Sequence, residues 1–102
     1  MLTSKQRAYL RGLANTIPAT QQIGKDGVTE SVAQQAALEL KAKELIKIRV
    51  LESALLTARE ASDALSAACG AEQVQVIGTK FVLYKRNPKE PKIVLIKDKK
   101  KT

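Results

Sequence analysis

Leu45-Ile46-Lys47-Ile48-Arg49-Val50-Leu51 decides the fold. Successive side chains of an extended chain point to opposite faces, so Ile46, Ile48 and Val50 fall on one side and Lys47 and Arg49 on the other. This is the clearest strand of the chain, and its alternation fixes two cations on a single face. Upstream, Thr29 can cap a helix whose Val32, Ala33, Ala36, Ala37 and Leu40 share one stripe at 100° per residue; its alanines suit close packing on a sheet. Thr20-Gln21-Gln22-Ile23, entered from Pro18, is a short strand candidate running into Gly24. At the start, Thr3-Ser4-Lys5-Gln6 has the spacing of a capping box. Tyr9, Leu10, Leu13 and Ile17 then recur at helical intervals, which predicts a helix over about residues 4–15.

Downstream, a third helix is expected over residues 57–69, with Leu55, Ala58, Ala61, Leu65 and Ala68 on its apolar side and Gly70 as a left-handed terminator. Val74 to Ile77, Gly78-Thr79 and Phe81 to Tyr84 read as a hairpin with a short glycine turn. Pro88 and Pro91 end regular structure, Ile93 to Ile96 is a candidate edge strand, and a lysine-rich segment follows. The order α-β-α-β-α-β-β describes an α/β fold in one domain. Helices between strands imply parallel neighbours, and the final hairpin adds an antiparallel pair, so the sheet is mixed.

A chain of 102 residues suits one compact domain, and with 44% hydrophobic residues it can bury a core without staples. Its net charge of +8 favours polyanions as partners, but the excess is uneven. Residues 85–102 hold eight basic and two acidic groups, a balance of +6, which leaves +2 for residues 1–84. A binding face on the body must therefore be argued from where its charges sit. The lysine-rich end is expected to strengthen nonspecific attraction through counterion release.

Gly24-Lys25-Asp26-Gly27 stands between a strand and a helix start, where backbone amides and the positive end of a helix dipole can receive a phosphate. Glycines allow close approach, with the amides of Gly24 and Gly27 and the Lys25 side chain as the contacting groups. Asp26 subtracts local positive charge. A tight turn needing positive φ explains the same glycines equally well, and the motif is neither a Walker loop nor a dinucleotide fingerprint. On the first helix, Arg7 and Arg11 lie on one side of the exposed face and Lys5 on the other, with Ala8, Gly12 and Asn15 between: a cationic rim around a low floor. An ordinary solvated helix would look similar. Lys47 and Arg49, with Lys80 near the hairpin turn, extend the basic surface.

Only Tyr9, Phe81 and Tyr84 are aromatic, and the last two fall on opposite faces of their strand. The aromatic platform of an RNA-recognition motif is absent, which favours backbone and shape recognition over reading single bases. Without histidine, with Cys69 as the single cysteine and with scattered acids, no metal site, cofactor, small-molecule substrate or enzymatic activity is expected. A lone cysteine fits a reducing compartment. No apolar run approaches the roughly 20 residues of a membrane span, and the first helix lacks the Trp or Phe of an interfacial anchor. A cytoplasmic protein is expected.

Leu2-Thr3-Ser4-Lys5-Gln6-Arg7-Ala8-Tyr9-Leu10-Arg11, Gln22-Ile23-Gly24-Lys25-Asp26-Gly27-Val28-Thr29, Glu44-Leu45-Ile46-Lys47-Ile48-Arg49-Val50 and Val74-Gln75-Val76-Ile77-Gly78, in order, resemble the YhbY-like family, whose fold is the CRM domain. The resemblance covers about residues 2–86, giving a domain over 1–86 and a basic tail over 87–102. It implies three helices and a mixed four-stranded sheet, similar to the C-terminal domain of translation initiation factor three. It also implies RNA binding and association with precursors of the large ribosomal subunit in bacteria; plant organelle relatives act in group II intron splicing. The family's G-x-x-G loop contacts RNA, a role that carries to Gly24, Lys25 and Gly27. Asp26 stands where relatives often have Gly or Asn. The basic groups Lys5, Arg7 and Arg11 are transferred with the first helix. A DNA-coating protein of similar size and a basic protein-interaction module are the competing classes.

Overall fold

The computed structural model describes residues 2–87. The elements are α1 (Ser4–Ala14), β1 (Gln21–Ile23), α2 (Glu30–Lys43), β2 (Leu45–Val50), α3 (Ala58–Cys69), β3 (Glu72–Ile77) and β4 (Lys80–Tyr84). Each strand expected within this range is present, extended or shortened by one or two residues. The expected strand over 93–96 lies outside the described residues.

The four strands lie in the order β1-β2-β4-β3. β1 runs parallel to β2, with Ile23 beside Val50, as a helical crossover requires. β4 is antiparallel to both β2 and β3, so it is inserted between two strands that share a direction. Gly78 takes φ 58° at the first position of the two-residue turn joining β3 to β4, the place where a II′ hairpin calls for glycine. The Thr79 carbonyl accepts a hydrogen bond from the Val50 amide at 2.7 Å, tying this turn to β2.

The alternation that defined β2 gives the sheet two unlike faces. Ile23, Ile46, Ile48, Val50, Phe81 and Leu83 pack with Ala36 and Leu40 of α2 and Ala58, Ala61, Leu65 and Cys69 of α3. On the other face Leu45, Val74, Val82 and Tyr84 pack with Leu10 and Ala14 of α1, and Leu2 joins them. Phe81 and Tyr84 thus lie on opposite faces. Three expected core positions are corrected: Leu55 is 93% exposed in the loop before α3, and Ala37 and Ala68 are exposed. On α3 the buried stripe turns instead through Ser62, Ser66 and Cys69. Ser62 is held by the Gln73 side chain at 2.8 Å, and small hydroxyls with a partner can occupy a helix-sheet seam that apolarity alone does not mark.

Caps set the helix ends. Thr3 and Gln6 form a reciprocal capping box on α1, Thr57 and Glu60 form another on α3, and Thr29 caps α2. α3 ends at Gly70 with φ 66°, and Lys85 Nζ donates to the Cys69 carbonyl at 2.8 Å, a cation at the negative end of the helix dipole. α2 ends differently, because Glu44 adopts φ 67° without being glycine. Such a backbone costs of order 1 kcal/mol and persists only when its surroundings hold it. Glu44 is fully buried. Its amide donates to the Leu40 carbonyl at 2.7 Å and its carbonyl accepts from the Lys85 amide at 2.9 Å. Its carboxylate accepts from the Asn87 amide at 2.6 Å.

Candidate nucleic-acid interface

The glycine turn sits at the C-terminal end of β1, on one edge of the sheet, and leads through Thr29 into α2. Lys25 and Asp26 occupy its exposed centre, and the Gly27 amide donates to the Gly24 carbonyl at 2.9 Å. That bond amends the expectation from sequence, since the Gly27 amide is spent inside the turn. The Val32 amide at the start of α2 is likewise taken, by the Thr29 hydroxyl at 3.2 Å. The two glycines differ in kind. Gly27 has φ +70°, a conformation that L side chains avoid, whereas a Cβ on Gly24 would meet nothing nearer than the Ser53 Oγ at 3.7 Å. Folding therefore accounts for Gly27 and not for Gly24.

α1 presents Lys5, Arg11, Ala8 and Gly12 to solvent and carries no acidic residue. A Cβ on Gly12 would enter open space. Arg7 is half-buried, and its Nε donates to the Gln73 carbonyl on β3 at 3.4 Å. It therefore sits by the edge opposite β1, at least three strand spacings, or roughly 14 Å, from the glycine turn. Beside it, Arg59 of α3 lines the same open cleft along β3. Arg7 and Lys25 can contact one ligand only if that ligand spans the sheet.

Between these edges, α1 covers only part of its sheet face. A shallow groove of about 200 Å³ remains, lined by Asn15 at the end of α1, Lys47, Gln75, Ile77, Lys80 and Val82, none of them acidic. Lys47 and Arg49 are both on this face, as their alternation required. Sequence alone missed the register that places Arg49 directly opposite Lys80 on the neighbouring antiparallel strand. Like charges facing each other in this way destabilise a sheet by roughly 0.2–1 kcal/mol. The ion pair between Lys43 and Glu39 lies on α2, and among the described residues no carboxylate pairs with Lys47, Arg49 or Lys80. The acids Glu30 and Glu39 on α2, and Glu60 and Asp63 on α3, belong to the helices of the opposite face.

The described residues contain no cluster of His, Cys, Asp and Glu able to hold a metal, and no helix long and apolar enough to cross a membrane. Burial raises the Cys69 thiol above its usual pKa, with Lys85 opposing the shift. At neutral pH the thiol is protonated and packed in the core, a setting for an inert cysteine.

A family model described as the CRS1 / YhbY (CRM) domain matches residues 2–85. The chain is 37% identical to a Bacillus subtilis protein named "Probable RNA-binding protein YqeI", over 93% of this chain and 99% of that one. It is 36% identical to a Haemophilus influenzae protein named "RNA-binding protein", over 92% and 94% of the two chains. The solution structure of a Staphylococcus aureus hypothetical protein is similar with a TM-score of 0.79 and 41% identity, covering 94% of this chain and 100% of that one.

Proposed function

This chain belongs to the CRS1 / YhbY (CRM) domain family, and from that premise we propose that it is an RNA-binding protein of the cytoplasm that binds precursors of the large ribosomal subunit and assists their assembly. Its role is to bind rather than to catalyse. The observation that carries this reading is the facing pair of cations on the open half of the α1 face, Arg49 opposite Lys80, without a carboxylate partner among the described residues. A folded protein keeps repulsion of this kind at a cost to stability, and a phosphate backbone lying across both cations relieves it. Lys47 widens this surface, Lys5, Arg7 and Arg11 continue it over α1, and Gly24, Lys25 and Gly27 bound it at the β1 edge.

In this assignment residues 1–86 form the binding domain and the basic segment over 87–102 adds nonspecific attraction. The negative charge of Asp26 keeps the turn from acting as a second strong anchor and leaves Lys25 as its one cationic contact. The test is sedimentation of cell extract at moderate salt, followed by crosslinking and mapping of the bound RNA. Co-migration with immature large subunits and crosslinks to their ribosomal RNA are expected. Migration as free protein, with a native fold and no affinity for structured RNA, sinks the proposal. Equal affinity for duplex DNA would point to a DNA-coating protein instead.

A further inference from the structure

Among the described residues Gln6, Gln21, Gln73, Gln75 and Asn87 are the half-buried residues that carry a side-chain amide. Gln6 accepts from the Thr3 amide at 3.0 Å, and Gln21 donates to Glu39 at 2.7 Å. Gln73 accepts from Ser62 at 2.8 Å and donates to Asp63 at 2.9 Å, and Asn87 donates to the Lys41 carbonyl at 3.1 Å. Gln75 has no partner of this kind in the described chain. Tyr84 Oη is the buried side-chain polar atom without a partner among the described residues, so the Gln75 amide, which is not buried in this way, stays open to solvent and available to a ligand.

The backbone aims Gln75 deliberately. A register shift between Gln73 and Gln75 makes Gln75, rather than Val74, the partner of Val82. Val74 then fills the core beneath α1, while Gln75 reaches the uncovered groove beside Asn15. Bulges re-aim side chains in this manner next to functional sites. The groove floor is apolar, formed by Val82 and by Ile77, which is 57% exposed. Its rim is cationic through Lys47 and Lys80.

We infer that this groove is a subsite for one unpaired nucleotide of RNA, its base resting on Ile77 and Val82 with its edge read by the amides of Gln75 and Asn15. The flanking phosphates fall to Lys47, Lys80 and Arg49. An amide offers a donor and an acceptor side by side, the arrangement with which Asn and Gln read a base edge. The base must be unpaired, because in a duplex that edge is engaged or hidden in the narrow groove of A-form RNA. The inference rests on the RNA-binding reading above and adds to it a contact that depends on base identity.

The test titrates the full chain with hexanucleotides of adenosine, cytidine, guanosine or uridine alone, and separately with a base-paired RNA hairpin, at one moderate salt concentration. The tightest and weakest hexanucleotides are expected to differ by at least about fivefold, the lower end of what one specific base contact supplies. Gln75→Ala and the uncharged, similarly sized Gln75→Met, each shown to be folded by its amide spectrum, should compress that spread below about twofold with an unchanged salt slope. Lys80→Gln should weaken all four alike and keep their ratios. In the unmutated chain, the side-chain amide protons of Gln75 should shift with the preferred hexanucleotide and not with inorganic phosphate. Equal binding of all four hexanucleotides, or a spread that survives both Gln75 variants, overturns the subsite. If the hairpin still binds in that case, the RNA-binding reading stands; if nothing binds, both fall.

Discussion

The two faces of the sheet are built from the same strands and serve opposite ends. The face under α2 and α3 is closed over Ile46, Ile48, Phe81 and Leu83, all nearly or fully buried. The face under α1 is half covered. Beyond Leu45, Val82 and Tyr84 it gives way to Lys47, Arg49 and Lys80, where repulsion is tolerated and the Gln75 amide has no partner among the described residues. One face supplies stability and the other gives some of it up to present charge. Adjacent residues on β2 are therefore exchangeable in neither direction.

Core truncation separates the faces most strongly. Leu65→Ala, beneath two helices, is expected to cost about 4–5 kcal/mol, and Leu10→Ala, under a single helix freer to settle, about 2–3 kcal/mol, both by urea denaturation. A larger loss at Leu10 would break the contrast. Next, removing charge from Lys47, Arg49 and Lys80 together should lower RNA affinity about a hundredfold near 0.1 M salt and flatten the slope of log K against log salt by roughly 2 units. The same change at Lys41 and Lys43 should alter affinity by less than about threefold. If both sets act alike, binding is not confined to the α1 face.

The glycine turn sharpens the division further. Gly27→Ala should cost about 1–2 kcal/mol through its positive φ, whereas Gly24→Ala should stay within about 0.5 kcal/mol and still weaken RNA binding. A stable Gly24 variant with full affinity would remove the turn from the interface. Lys80→Glu, turning repulsion across the strands into attraction, should raise stability by roughly 0.2–1 kcal/mol while reducing affinity. The smallest effect concerns Tyr84, whose pKa is raised by burial first and then by the nearby Glu44 carboxylate, with Arg86 opposing. A raised folded-state pKa means the contribution is intact below about pH 10, the usual tyrosine value, and is lost as pH climbs through the folded-state pKa. Its hydroxyl has no hydrogen-bond partner among the described residues. Tyr84→Phe should therefore change stability at pH 7 by less than about 0.5 kcal/mol and abolish the alkaline loss.

Much of this architecture is legible in the chain. Ile46, Ile48 and Val50 against Lys47 and Arg49 give β2 and its faces, and Thr3 with Gln6, Thr29, Gly70 and Gly78 mark element ends through local chemistry. What stayed hidden is what depends on partners distant in sequence. Nothing local to Arg49 or Lys80 announces that they face each other, because register is set by the whole sheet. The bulge at Gln73 and Gln75 has no glycine to signal it, and Glu44 ends α2 without the residue that usually marks a left-handed stop. Leu55 looked like core since it continues the α3 stripe, but Thr57 starts that helix after it. At the candidate site, the cations and glycines had recognisable spacing, whereas Gln75 and Asn15 had none.

The bonds that hold Glu44 also fix a geometry that extends past the sheet. They pin Lys85 and Asn87 at the pole where β2 begins and β4 ends. The glycine turn lies at the other pole, five strand steps or roughly 17 Å away. The chain therefore passes into its lysine-rich sequence at the pole opposite the glycine turn. Glu44→Ala would remove the carboxylate that accepts from the Asn87 amide at this exit while leaving every lysine beyond it in place.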